Sequence, residues 1–158
     1  MIRLLEQAIL ARLKQKLSDV AIEPYPDKPS EYVLIHPNAA VLVRYVSSDY
    51  QNPLSPDIIA QDREINFELA IIARSLTDNR GVYELLEDIR QALMGWRIEG
   101  FEKFYYKRDE FVAENDGIWQ YAIYIATSRR VYENQMEVSI INYDEESGEL
   151  KDDFNVPD

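Results

Sequence analysis

Residues 65–74 read Ile65-Asn66-Phe67-Glu68-Leu69-Ala70-Ile71-Ile72-Ala73-Arg74. Ile65, Phe67, Leu69 and Ile71 fall on every second position with Asn66, Glu68 and Ala70 between them, the period of a strand with one buried face. This is the clearest long strand of the chain, and its neighbours are read from it. Upstream, Ala40–Val46 (AVLVRYV) is apolar at both parities apart from Arg44, which predicts a central strand covered on both sides. The two strands are separated by residues 47–60, a connection with Pro53 and Pro56 that ends in the apolar pair Ile58-Ile59. Ordered loops of this length in a small domain tend to carry function.

Downstream, Thr77–Gly81 is a turn, and Val82, Leu85, Leu86, Ile89 and Leu93 then repeat with helical spacing until Gly95 stops the helix. Phe104–Tyr106 and Phe111-Val112 precede the turn Asn115-Asp116-Gly117, and Ile118–Thr127 follows it. This predicts two strands in a tight hairpin. At the other end, Ile2, Leu5, Ile9, Leu13 and Leu17 line one side of a helix over residues 2–17, and Val20–Ile22 is a short strand stopped by Pro24. Four prolines between Pro24 and Asn38 leave an extended surface connection with room for a short strand at Tyr32–Ile35.

The order helix, strand, connection, strand, strand, helix, strand, strand defines an α+β class: a mainly antiparallel sheet with two helices packed on one face, plus a C-terminal arm. Residues 1–131 form the domain. Residues 132–158 form a strand containing Met136, Val138, Ile140, Ile141 and Tyr143, then an acidic tail in which seven acidic residues from Asp144 onward accompany Lys151 alone. Such a segment is expected to be solvated or ordered by a partner.

The 158 residues, 46% of them hydrophobic, suffice for one core. A net charge of −12 repels phosphate and argues against nucleic-acid binding by a basic patch. The absence of cysteine removes disulfides, thiol nucleophiles and thiolate zinc sites. The longest apolar runs, Ala39–Val43 and Tyr121–Ala126, fall far short of the roughly 20 residues of a membrane span. The chain is therefore expected to be soluble, and its charged start predicts no secretion signal.

Catalytic chemistry has few candidates. His36, the only histidine, sits beside Pro37 and reads as a turn-stabilising side chain. Asp62 and Glu64 would share one strand face and could hold magnesium for a nuclease, but Arg63 lies between them and no partner carboxylate is evident. GxxxxGK[ST], GxGxxG, GxSxG and HExxH patterns do not occur. Phe104, Tyr105, Tyr106, Trp119, Tyr121 and Tyr124 would suit base stacking, but such a platform should also be basic, so packing is preferred. No catalytic, metal or cofactor residues are assigned. The apolar character of both faces of two strands predicts a subunit interface instead, since Ile123 and Ile125 point opposite to Ala122 and Tyr124. The candidate contact residues are Ile58, Ile59, Tyr121, Ile123, Ile125, Ile140, Ile141 and Tyr143.

Four segments together, HPNAAVLVRYV at His36–Val46, Gln61-x-Arg63 leading into FELAIIAR at Phe67–Arg74, GVYELLEDIRQAL at Gly81–Leu93 and FVAENDGIWQYAIYIAT at Phe111–Thr127, resemble the tail-completion proteins of Mu-like contractile-tailed phages. That family is understood to act as tail terminators, and the resemblance spans roughly residues 2–130. It implies a structural virion protein, not an enzyme: a hexameric ring that caps the finished tail tube and offers a surface to the neck beneath the head. It implies as partners further copies of the chain, the tube protein, and sheath and neck proteins, with DNA passing through the lumen without specific binding. Localisation would be the head-proximal end of the tail, after assembly in the host cytoplasm. The alternatives are a neck or head-completion adaptor, the cap of a phage-derived injection machine, and a nuclease using Asp62 and Glu64.

Overall fold

The computed structural model describes residues 1–134, 138–144 and 149–156, with side chains no further than Ser139. Helix α1 (Ile2–Lys16) buries Leu5, Ile9, Leu10 and Leu13, the stripe expected from its spacing. Lys14 and Lys16 in its last turn complement the negative end of the helix. Strand β1 (Ala21–Pro24) follows, then β2 (Ala39–Tyr50), β3 (Ala60–Ala73), α2 (Val82–Leu93), β4 (Tyr105–Asn115) and β5 (Ile118–Tyr132). The five strands form one sheet in the order β1-β2-β3-β5-β4, antiparallel except for the parallel pair β1-β2. The fold is thus α+β, with two helices on one face among the described residues.

The helix-side core joins the α1 stripe to Val41 and Val43 of β2, Ile65, Phe67, Leu69 and Ile71 of β3, Ile123 and Ile125 of β5, and Val82, Leu85, Ile89 and Leu93 of α2. Arg80 pins the helices at one end. Its guanidinium, 12% exposed, reaches Asp19 beyond α1 at 2.6 Å and Glu84 and Asp88 of α2 at 2.8 and 2.7 Å. Burial alone would lower its pKa, but the three carboxylates more than offset that and raise it. Gly81 must be glycine here, because a Cβ would stand 2.7 Å from the Asp78 carbonyl oxygen. The β4–β5 hairpin turns on Asp116 and Gly117, with φ of 51° and 81°, the left-handed pair of a two-residue turn.

A parallel pair of strands needs a crossover, and residues 25–38 make it over the face away from the helices. Tyr25, Tyr32 and Leu34 of this strap pack on Ala40, Leu42, Ala70 and Ile72 of the sheet. The Tyr25 ring also stacks on Arg44, whose guanidinium lies 4.3 Å from its centroid. Arg74 fastens the far end by donating to the carbonyls of Leu34 and His36 at 3.0 and 3.2 Å.

Four expectations are corrected by these features. The strand expected at Tyr32–Ile35 is extended but unpaired, preceded by a 3₁₀ turn at Pro29–Glu31. The connection expected over residues 47–60 is only 51–59, because β2 continues to Tyr50 and β3 starts at Ala60. The apolar second face of β2 at Ala40 and Leu42 is covered by the chain's own strap, so these two residues present no surface to another subunit. The acidic stretch read as a tail contains strand β7 (Glu149–Val156), which pairs antiparallel with β6 (Val138–Asp144) in a separate two-stranded sheet. Val138 stands opposite Val156 in register and Ile140 opposite Phe154; counting charges hid these alternating apolar positions.

Candidate assembly surfaces

Strands β2, β3 and β5 outrun the helical layer. Where the helices cover β3, Ile65 through Ile71 are buried without a break, whereas Gln61 through Glu64 are only half-buried. At this projecting end the backbone is satisfied locally. Gln51 N–H donates to the Asp62 carbonyl, Leu54 N–H to that of Ala60 and Glu133 N–H to that of Ile59, at 2.8 to 3.0 Å. The side chains are of two kinds. Charges pair off: Arg130 with Asp62 at 2.9 Å, and Lys107 with Glu64, which also accepts from the Tyr105 hydroxyl. Lys107, then Tyr105, hold the Glu64 carboxyl below its usual range. Burial and Glu64 push the Tyr105 hydroxyl up to about 12. Large apolar groups at this end remain in solvent, namely Tyr50, Leu54, Ile58 and Tyr132, with Ile58 58% and Tyr132 68% exposed. Isolated apolar groups on a surface are ordinary; four at one end of a sheet make that end a candidate contact surface.

The open face of the sheet carries a row of alternating charge and aromatic character. Arg44, Glu68, Tyr124 and Arg108 stand opposite one another on four adjacent strands. Arg44 reaches Glu68 at 2.6 Å, and the Arg108 guanidinium lies 4.7 Å from the centre of the Tyr124 ring. Glu68 is only 7% exposed, so Arg44 offsets the cost of burying its charge. Beside this row a hollow of about 430 Å³ opens between the strap and β5, floored by Leu42, Ile72, Ile118 and Gln120. Val33 and Ile35, 71% and 89% exposed, point outward from the strap.

On the helix side, the hairpin end of β4 and β5 is bare. Phe111, 53% exposed, meets Trp119 and Tyr121 edge-to-face at 6.2 and 5.6 Å. Tyr106 lies on the same face with a buried hydroxyl that has no partner. Burial, then Asp109, raises its pKa.

The expected contact residues separate accordingly. Ile58 is exposed at the projecting end and Ile59 is half-buried beside it. Tyr121 is half-buried in the aromatic cluster. Ile123 and Ile125 are corrected: both are fully buried under the chain's own helices and present no surface to another subunit. The side chains of Ile140, Ile141 and Tyr143 lie outside the described residues. Phe111, Trp119, Val33 and Ile35 were missed. The Asp116-Gly117 turn by itself would set Val112 opposite Tyr121; the bulge between Phe111 and Ala113 brings Phe111 there instead, so no local signal finds this cross-strand pair.

The other candidates resolve plainly. Asp62 and Glu64 share a strand face, but each is engaged by its own cation, and the described residues contain no group of three metal-ligating side chains. Nδ1 of His36 accepts the Asn38 N–H at 3.1 Å, the turn-stabilising role expected of it. The aromatic set is split: Phe104 is buried and stacked on Trp96, Tyr105 and Tyr124 lie on the open face, and Tyr106, Trp119 and Tyr121 on the helix face. No helix of the described residues is long and apolar enough to cross a membrane.

No curated protein matches the chain. The family model of the Gp37 protein matches it over residues 9–144, more than four-fifths of its length. On that extent the chain belongs to the Gp37 protein family, a phage-related family.

Proposed function

We propose that this protein is a structural component of a phage virion, a tail terminator whose copies form a hexameric ring on the last disc of the tail tube and join it to the neck. The observation that carries this reading is the projecting end of β2, β3 and β5. A sheet that outruns its own helices and exposes Tyr50, Leu54, Ile58 and Tyr132 is built to meet another protein end-on, as stacking on a tube disc requires. The net charge of −12 per chain fits a lumen through which DNA slides, because like charge prevents adhesion. Strands β6 and β7, paired in a sheet of their own, are the elements this reading gives to a neighbouring subunit, the tube or the sheath.

The test is the particle made without this chain. Tails of uncontrolled length, restored to one length by the wild-type protein and labelled by a tagged copy only at the head-proximal end, are the expected result. Tails of normal length that fail to join heads would transfer the role to a neck adaptor, and label at the distal end would overturn both.

A further inference from the structure

We infer that the exposed helix-side face of β4, with the hairpin end of β5 at Trp119 and Tyr121, is the seat for helix α1 of a second copy, so that successive subunits join head to tail through one continuous helical layer. The inference deepens the ring reading above and rests on it. Helix α1 packs against β1 and β2, and α2 against β3 and β5. Two helices about 10 Å across cover roughly four strands spaced about 4.8 Å apart, which leaves β4 outside the layer. Exposed residues accordingly predominate along β4.

The seat has an aromatic floor of Phe111, Trp119 and Tyr121, residue types that dominate protein contacts. Its charge is acidic. Asp109 and Glu114 lie on the same face of β4 by register, Glu114 accepting the Gly117 N–H at 2.7 Å, and the charges of Asp109 and of Glu87 in α2 both act on the Tyr106 hydroxyl. Arg90, bound to Glu87, is the cation beside them. The strand edge itself is broken by bulges between Tyr106 and Arg108 and between Phe111 and Ala113, a device that discourages strand addition. The side-chain face, not the backbone edge, is therefore the docking surface.

The occupant is identified by complementary charge. Helix α1 carries Arg3, Arg12, Lys14 and Lys16 against Glu6 alone. Arg3, Gln7, Ala11 and Lys14 form an exposed stripe on its outward side, cationic at both ends and slimmest at Ala11, with Leu4 55% exposed alongside. This stripe and the acidic seat lie at opposite lateral ends of the same layer. A contact between them uses each surface once per copy and closes by rotation into a ring.

The test exchanges the charges. One variant carries Arg3→Glu and Lys14→Glu, the other Glu87→Lys and Asp109→Lys, all at exposed positions, with folding checked by circular dichroism. In sedimentation velocity each variant alone should lose self-association by about tenfold or more, while an equimolar mixture regains it because acidic helices now meet basic seats. Phe111→Asp should also lose assembly and gain nothing from mixing. If wild-type chains assemble and either variant alone assembles equally, or the mixture regains nothing, the seat is wrong while the ring reading stands. A wild-type chain that stays monomeric at every concentration, and also on purified tube, overturns both.

Discussion

Strand β3 passes through two environments. From Ile65 to Ile71 every residue is buried, with odd positions under the helices and even ones on the open face. Below Ile65 the same strand, still paired on both sides, holds Asp62 and Glu64 in half-exposed ion pairs beside the projecting loop. The ladder of β3 with β5 is continuous and that with β2 is interrupted only by a bulge at Val46, so the difference lies mainly in what covers the strand. The covered half supplies the cooperative core; the projecting half keeps its order through backbone pairing and leaves apolar groups free for a partner. Stability and, on the proposed function, contact with the tube fall on different lengths of the same three strands.

The sharpest way to break this contrast is at Phe67, which is fully buried and meets the Tyr45 ring at 6.0 Å. Phe67→Ala should cost about 3–5 kcal/mol in urea unfolding, the range for an aromatic cavity in a close-packed core. A loss near zero would mean that the helical layer does not govern stability.

A smaller effect is expected on the open face. Arg44→Ala strips Glu68 of its cation and the Tyr25 ring of its stacking partner. Because Arg44 is itself about half-exposed, at 46%, water screens the pair, and the loss should be roughly 1–2 kcal/mol. Arg44→Ala combined with Glu68→Gln should recover part of it, which would separate an uncompensated charge from lost packing.

Acid titration compares the two ends directly. Arg80 holds the Asp19 carboxyl, and Lys107 the Glu64 carboxyl, below their usual range. A carboxyl whose folded-state pKa is depressed adds stability that is fully present above the unfolded value and is lost as pH falls through the folded one. Melting temperature should therefore be level from about pH 7 to 5 and fall below about pH 4. Asp19→Asn and Glu64→Gln should each lower the neutral plateau and flatten the acid limb. The larger flattening is expected from Asp19, which anchors the helices, and equal flattening would show that the projecting end also contributes to global stability.

The smallest stability effect belongs to the projecting loop. Ile58→Ser with Ile59→Ser should shift unfolding by no more than about 0.5–1 kcal/mol, as surface changes do, while abolishing assembly in mass photometry. Assembly at wild-type affinity would remove this loop from the contact surface.

The two helices, the alternation of β3, the hairpin at Asp116-Gly117 and the α+β class are legible in the residues alone, because periodicity and turn chemistry are local properties that act over a few residues. What covers each face is set by long-range packing. Ile123 and Ile125 are strand-like in any reading, yet whether they meet a helix or another subunit depends on α2, which precedes the β4–β5 hairpin in the chain and packs back onto β5. The second face of β2 is apolar for the same kind of reason: the proline-rich strap, forced across it by the parallel β1-β2 pair, lies on Ala40 and Leu42. The candidate surfaces were legible only at Ile58, Ile59 and Tyr121. Exposure is the residue left after all long-range packing is complete, and no local pattern at Phe111 or Val33 distinguishes an apolar side chain that finds a partner within the chain from one that does not.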